Sequence, residues 1–230
     1  MIKKVIFLPV GSYEHHGDLL PPATDSLISN RIAQDLNAIY DNSILLPVFN
    51  YGVSTEHKDF KSTITVDNFN YLSFMTVLLN SINAEDSLIV IINGHGGNAN
   101  ILSSIASEYN YNKTTSKLFI PPIYDEKVKS LAKRLFGEFD SHAGSVESSL
   151  MAYYNFISMN DNVIVNDEYV SAMPNILHYF RLGQISKFGI VKSTPNLHIS
   201  SDNGREIHDE IIDSLRTDIN NLLININKVI

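Results

Sequence analysis

The chain has 230 residues, 44% of them hydrophobic and 18% charged, with a formal net charge of -8. That length and apolar content suit one domain over residues 1–230 with a large core, and the acidity, without a cluster of Lys and Arg, argues against nucleic acid as the main partner. No cysteine occurs, which removes disulfides, thiolate metal sites and a cysteine nucleophile together and fits a reducing, cytoplasmic setting.

The first element is the apolar run 5–10, preceded by Lys3 and Lys4. It is too short for a signal peptide or a membrane span and reads as a first strand. Directly after it stand Gly11-Ser12-Tyr13-Glu14-His15-His16-Gly17 and then Pro21-Pro22-Ala23-Thr24-Asp25, which gather two carboxylates and an imidazole beyond a strand end. Thr24, Asp25 or Ser26 is placed to cap a helix whose one face carries Leu27, Ile28, Ile32, Leu36 and Ile39. A second apolar run, 44–49, leads into a segment ending at Phe60, in which His57 is a candidate for lining a substrate pocket. A helix over 71–82 follows and brings Leu72, Met75, Leu78, Leu79 and Ile82 together.

The run 88–92 precedes Asn93-Gly94-His95-Gly96-Gly97-Asn98. Glycines around a histidine let backbone approach a ligand closely, and Asn98 is placed to open the next helix with free N–H groups facing the site. Gly96, Gly97 and Asn98 are therefore candidates for contacting substrate. Farther on come a polar loop at 110–117, a short strand at 118–120, the group His142-Ala143-Gly144-Ser145-Val146-Glu147, and a polar loop at 158–168. Residues 171–187, aromatic and basic, read as a lid or a subunit contact, and 188–191 as another strand. Ser201-Asp202-Asn203 then begins a long amphipathic helix through Ile207, Ile211, Ile212, Leu215, Ile219, Leu222 and Ile226, expected to cover one face of the sheet.

Short apolar runs alternating with segments of helical period predict a three-layer α/β/α sandwich around a mostly parallel sheet. Ligands of such sheets bind beyond the carboxyl ends of the strands, where Glu14, His16 and His95 lie. Neutral imidazoles and carboxylates are what zinc, manganese and iron bind, and without cysteine any metal must rest on them. Each residue has a plainer alternative: Glu14 and His16 as solvated loop residues, Asp25 as a helix cap, 93–98 as a tight turn, and the His142 to Glu147 spacing as chance. Their convergence beyond two strands favours a metal site. A serine hydrolase is disfavoured, because His95-Gly96-Gly97 lacks a Gly-x-Ser-x-Gly elbow, and Ser130-x-x-Lys133 with Ser201-Asp202-Asn203 lacks a Lys-Thr-Gly element. No role is assigned to His15, His178, His198 or His208.

These motifs, in this order, resemble the creatininase family of metal-dependent amidohydrolases. The likeness rests on Gly11, Ser12, Glu14, His16, Gly17, Leu20, Pro21, Thr24 and Asp25, on Glu56, His57 and Phe60, and on Asn93 to Asn98. It continues in His142, Ala143, Gly144 and Glu147 and in Gly204-Arg205-Glu206. The resemblance implies two divalent ions per subunit, zinc, manganese or iron, with Glu14 and His95 on one, His16 and Glu147 on the other, and Asp25 bridging both. It implies that a water deprotonated between the ions attacks a small-molecule amide, that His142 moves the proton, and that the protein is a homo-oligomer, a hexamer in many similar proteins, with no membrane partner.

The chain also departs from the family pattern. It has Leu19 where many members have a second His, Phe60-Lys61-Ser62-Thr63 for Phe-Pro-Gly-Thr, Ser145-Val146-Glu147-Ser148 for Glu-x-Glu-Thr, and glycines where creatininase carries a Glu beside the strand-end His. These departures weaken a creatinine substrate more than the metal site. The small apolar Leu19 in place of the second His and the modest length resemble the archaeal branch that deformylates a formylamino-pyrimidine nucleotide on the route to flavins and deazaflavin. Arg181, Lys187 and Lys192 are candidates for local positive charge toward its phosphate. The alternatives are a cyclic amidase, a cofactor-maturation peptidase of the same family, and a non-catalytic metal-binding assembly protein.

Overall fold

Strands buried on both faces read as unbroken apolar runs rather than alternating ones, and two such runs, 5–10 and 88–92, form the centre of the sheet. The computed structural model describes residues 1–137, 142–158, 180–187, 189–191 and 197–229. Among them, β1 (Lys4–Val10), β2 (Ser43–Leu45), β3 (Ser87–Asn93) and β4 (Lys117–Phe119) make a parallel sheet of order β2-β1-β3-β4. β1 and β3 pair in register from Lys4 with Ser87 to Val10 with Asn93.

The helices are α1 (Thr24–Ile39), α2 (Asn68–Ser81), α3 (Ala99–Asn112), α4 (Glu126–Phe136), α5 (Ser145–Tyr153), the short α6 (Leu182–Ile185) and α7 (Ser201–Val229). On one face of the sheet, Val5, Phe7, Leu88, Val90 and Ile92 pack in one core with Ile28, Ile32 and Leu36 of α1, Val146 and Leu150 of α5, and residues of α4 and α7. On the other, Ile6, Leu8, Ile89 and Ile91 meet Tyr71, Met75 and Leu79 of α2 and Leu102, Ile105 and Tyr109 of α3. The expected three-layer α/β/α architecture is therefore present.

Local chemistry explains where elements start and stop. Asp67 caps α2 by accepting from the Asn70 N–H at 3.0 Å, and Asp125 caps α4 by accepting from Lys127 and Val128. Gly137, at φ 82°, ends α4 in the left-handed conformation that glycine adopts without strain.

Four expectations are corrected. The run 44–49 is strand only to Leu45, because Pro47 has no N–H to give a ladder, and Phe49 rejoins the sheet through a single bridge to Val10. Ala23 occupies the N-cap of α1 without a side-chain bond; Thr24 Oγ1 instead donates to the Pro21 carbonyl at 2.7 Å, and Asp25 lies in the first turn facing other partners. In α2 the buried stripe is Tyr71, Met75 and Leu79, whereas Leu72 is exposed. α7 buries Ile207, Ile211, Leu215 and Ile219, but it packs mainly on α5, α4 and α1 rather than on strands, with Gly204 so close to the Ser149 and Leu150 backbone that a Cβ would not fit.

The loop expected at 158–168 lies outside the described residues beyond Ser158, as do 171–179 of the expected lid, His178, Phe188 and Lys192. Val191, from the expected strand at 188–191, makes one isolated antiparallel bridge to His142. No helix among the described residues is long and apolar enough to cross a membrane.

Candidate metal centre

In the order β2-β1-β3-β4 the chain leaves β1 toward one edge and β3 toward the other, so a crevice opens between their carboxyl ends. Residues 11–23 follow β1 on one side of it, and 94–98 follow β3 on the other. Two glycines allow the loops to meet: a Cβ on Gly94 would strike the Asp25 carbonyl, and one on Gly97 would strike the Val53 carbonyl and the His95 ring. Gly96 faces open space. The side chain of Asn98 is committed to the protein, accepting from Val53 N and donating to the Gly11 carbonyl, both at 3.0 Å. Of the three residues expected to touch substrate here, Gly96 alone borders free volume.

The crevice gathers Glu14, His16, Asp25, His57, His95, His142 and Glu147, each between 1% and 9% exposed. Asp25 lies at the middle. Its Oδ1 is 3.1 Å from His16 Nε2, and its Oδ2 is 3.0 Å from His95 Nδ1 and accepts from Ser12 Oγ at 2.8 Å. Glu14 Oε1 is 3.3 Å from His95 Nδ1, 3.5 Å from His57 Nε2 and 3.6 Å from His142 Nδ1, while its Oε2 is buried without a hydrogen-bond partner among the described residues. Glu147, in the first turn of α5, accepts from Ala143 N at 2.7 Å and stands 3.9 Å from His16 Nε2.

The backs of the rings are also specified. His16 Nδ1 lies 3.0 Å from the Glu14 carbonyl, His95 Nε2 2.7 Å from that of Val53, and His142 Nε2 2.9 Å from that of His15. A carbonyl only accepts, so each rear nitrogen carries the proton and each front nitrogen presents its lone pair when the ring is neutral. Metal-binding histidines are typically oriented in this way.

Burial opposes charge at His16, His95, Asp25 and Glu14, where the carboxylate to imidazole contacts outweigh it, and at His57 and His142, where they do not. Burial disfavours imidazolium at His16, yet Asp25, Glu147 and Glu14 push it up to about 10. His95 is likewise raised, against burial, by Glu14 and Asp25. Asp25 and Glu14 are held below the usual carboxylate range by the imidazoles, although burial acts the other way. His57 goes down to about 3 because burial is joined by the cationic His95 and His16, and His142 falls for similar reasons, burial first and then His16 and His57. The result is two imidazoliums locked to two carboxylates, a charge arrangement that divalent cations can replace.

Among the described residues, three sets have ligand atoms that lie, within each set, no more than 4.8 Å apart: Glu14, Asp25 and His95; His16, His142 and Glu147; and Glu14, His57 and His142. With a buried carboxylate oxygen unpartnered at their centre, the residues fit divalent metal. The side chains named from sequence thus converge. Sequence reasoning gave no role to Ser12, which orients Asp25, or to His15, which contributes through its backbone carbonyl and so left no side-chain signal. Arg181 is paired with Asp59 at 2.7 Å, and Lys187 lies on the surface.

A family model described as Creatininase: Creatinine amidohydrolase matches residues 2–219. The mycofactocin precursor peptide peptidase of Mycolicibacterium smegmatis is 28% identical over 171 residues, covering 72% of this chain, and the chain spans 62% of that protein. The peptidase of the same name from Mycobacterium tuberculosis (strain CDC 1551 / Oshkosh) is 31% identical over 107 residues, 43% of each chain. Among solved structures, a creatinine amidohydrolase (creatininase) superimposes with a TM-score of 0.75 at 18% identity, covering 94% of this chain and 89% of that one. A mutant creatininase of the Zn-Zn type gives 0.73 at the same identity and coverage. At such identity these structures speak for the fold.

Proposed function

Because the chain belongs to the creatininase family, we propose that it is a metal-dependent amidohydrolase acting on a non-peptide C–N bond, the formamide of a formylamino-pyrimidine ribonucleotide 5'-monophosphate. The observation that carries the hydrolytic reading is the placement of Asp25, whose two oxygens face His16 and His95 separately, at 3.1 and 3.0 Å. One carboxylate thereby joins two ligand groups.

Glu14, His95 and Asp25 would hold one divalent ion, and His16, Glu147 and Asp25 a second. When bound, such ions supply Lewis acidity and a water that is nucleophilic near neutral pH. His142 keeps its Nε2 proton on the His15 carbonyl, so its Nδ1 is the atom that takes a proton from the attacking water and returns it to the leaving nitrogen. The water oxygen bonds to the acyl carbon, the C–N bond breaks, and the amine departs with the transferred proton. Backbone N–H groups beside Gly96, where space is open, would border the acyl oxygen. The depth of the ligand set favours a very small acyl group, and formyl is the smallest.

A second reading, peptide hydrolysis, is supported by the mycofactocin peptidases and by a groove of about 450 Å³ between α3 and β4. The groove's lining includes Ser103, Ser107, Phe119, Pro121 and Asn93, whose Nδ2 donates to the His95 carbonyl at 2.8 Å. A homo-oligomer fits the surface as well. α2 contains no charged residue and exposes Phe69, Phe74 and Val77; an apolar face of that kind is usually covered.

The test joins metal analysis of the purified protein to a formate-release assay on the formylamino-pyrimidine nucleotide, repeated after chelation and after adding back Fe, Mn or Zn. Creatinine and short peptides run in parallel. Metal-dependent formate release supports the deformylase; bound metal with peptide cleavage and no formate moves the assignment to the peptidase. Bound metal with no turnover of any amide leaves the non-catalytic metal-binding protein.

A further inference from the structure

One imidazole of the centre is built differently from the others. His16, His95 and His142 each have a backbone carbonyl behind the ring, at 3.0, 2.7 and 2.9 Å. Behind His57 there is none: its Nδ1 is buried and has no hydrogen-bond partner among the described residues. A neutral imidazole carries one N–H, and a buried N–H without an acceptor is less tolerable than a buried lone pair. The proton of His57 therefore belongs on the front nitrogen, Nε2, which points into the crevice. Its nearest carboxylate atom is Glu14 Oε1 at 3.5 Å, too long to use that donor well.

A forward N–H repels a cation and attracts an oxygen. His57 consequently differs from its neighbours in chemical sense as well as in surroundings: in the neutral state that a metal requires, three rings present lone pairs to the centre, and this one presents a donor. We infer that His57 is a catalytic residue that donates its Nε2–H to the acyl oxygen of the substrate and is not a metal ligand. The contact strengthens as negative charge gathers on that oxygen during attack, so its effect falls on kcat more than on KM. The inference rests on the amidohydrolase reading for its substrate, but the state of the ring can be read without one.

Long-range proton to nitrogen-15 spectra of the zinc-loaded, histidine-labelled protein report the protonated nitrogen of each ring. The expected result is His57 protonated at Nε2 with no metal-bound nitrogen; a proton on Nδ1, or zinc on Nε2, would overturn the inference. The number of metal ions per subunit should be the same in wild type, His57→Phe and His57→Gln, and loss of an ion in either variant would make His57 a ligand. In formate release, His57→Phe should lower kcat about 100-fold. KM should stay within about threefold. His57→Gln, which keeps a donor, should recover about tenfold of the loss, and equal losses in both variants would overturn the hydrogen-bond role. If wild type releases no formate, the deformylase reading fails by itself, and the spectra and metal counts still decide what His57 is.

Discussion

His142 Nε2 stands 2.9 Å from the backbone carbonyl of His15, and that carbonyl is itself held firmly in place. The His15 ring stacks on Phe60 with centroids 4.2 Å apart and planes 9° from parallel, and Gly189, at φ 72°, lies so close that a side chain there would strike the His15 ring. The proton of the rear nitrogen is thus fixed by packing, and the front nitrogen is left for chemistry.

His142→Ala is accordingly expected to retain its metal and to lose turnover by about a thousandfold, within the usual range for removing a positioned acid or base. Metal analysis and formate release on the same preparation check this. Near-normal turnover would take His142 out of the mechanism, and loss of an ion would move it into the ligand set with His16 and Glu147.

Asp25→Ala removes the carboxylate shared by both ligand groups and should leave at least one metal position empty. Ser12→Ala leaves that carboxylate but takes away the 2.8 Å hydrogen bond that orients it, so metal should bind more weakly, by about 10-fold to 100-fold, as for other supports of metal ligands. Metal titration followed by calorimetry measures both. Full occupancy in the Asp25 variant would end its bridging role.

The fold was legible because β1 is apolar from Val5 to Val10 and β3 from Leu88 to Ile92, and the site because Glu14, His16 and His95 follow those strands closely. What sequence could not show has physical reasons. The contribution of His15 is a main-chain carbonyl, available from any residue type. Asp25 has the composition of a cap and the position of a ligand, and only its contacts with Ser12, His16 and His95 separate the two. The glycines of 94–97 read as room for a ligand, whereas Gly94 and Gly97 provide room for Asp25, Val53 and His95. Leu72 groups with the core face of α2 in sequence because it continues the apolar pattern around the helix, although it is exposed.

Metal binding should release protons. Without metal, His16 is held protonated up to about pH 10 and His95 is raised as well, so both rings carry an extra proton near neutral pH. An ion can use those front nitrogens only after the protons leave. Zinc added to the metal-free protein in weak buffer near neutral pH should therefore acidify it by about two protons per subunit, and affinity should rise about tenfold per pH unit for each proton displaced. An indicator dye reads the release. A titration with no proton release would mean that His16 and His95 are neutral before metal arrives, or that they do not bind it.

His208, 5% exposed between α1, α5 and α7, is expected to make the fold acid-sensitive independently of the metal. Its Nδ1 lies 2.8 Å from the Tyr154 hydroxyl and its Nε2 3.2 Å from Asp35, which also accepts from Arg31 at 2.8 Å. Burial lowers its pKa; Asp35 and Asp209 oppose the shift and Arg31 adds to it. The folded chain then binds fewer protons than the unfolded chain below the ordinary histidine value of about 6.5. Stability therefore falls as pH drops through that value, by no more than about 1.4 kcal/mol per pH unit, and levels off once the folded value is passed. His208→Gln keeps a donor and an acceptor but cannot titrate. Denaturant unfolding of the metal-free chains from about pH 7.5 to about pH 5 should show the wild-type advantage over this variant shrinking with acid. A constant difference would mean that His208 is equally willing to take a proton in both states, and that the network of Tyr154, Asp35 and Arg31 imposes no preference for the neutral ring.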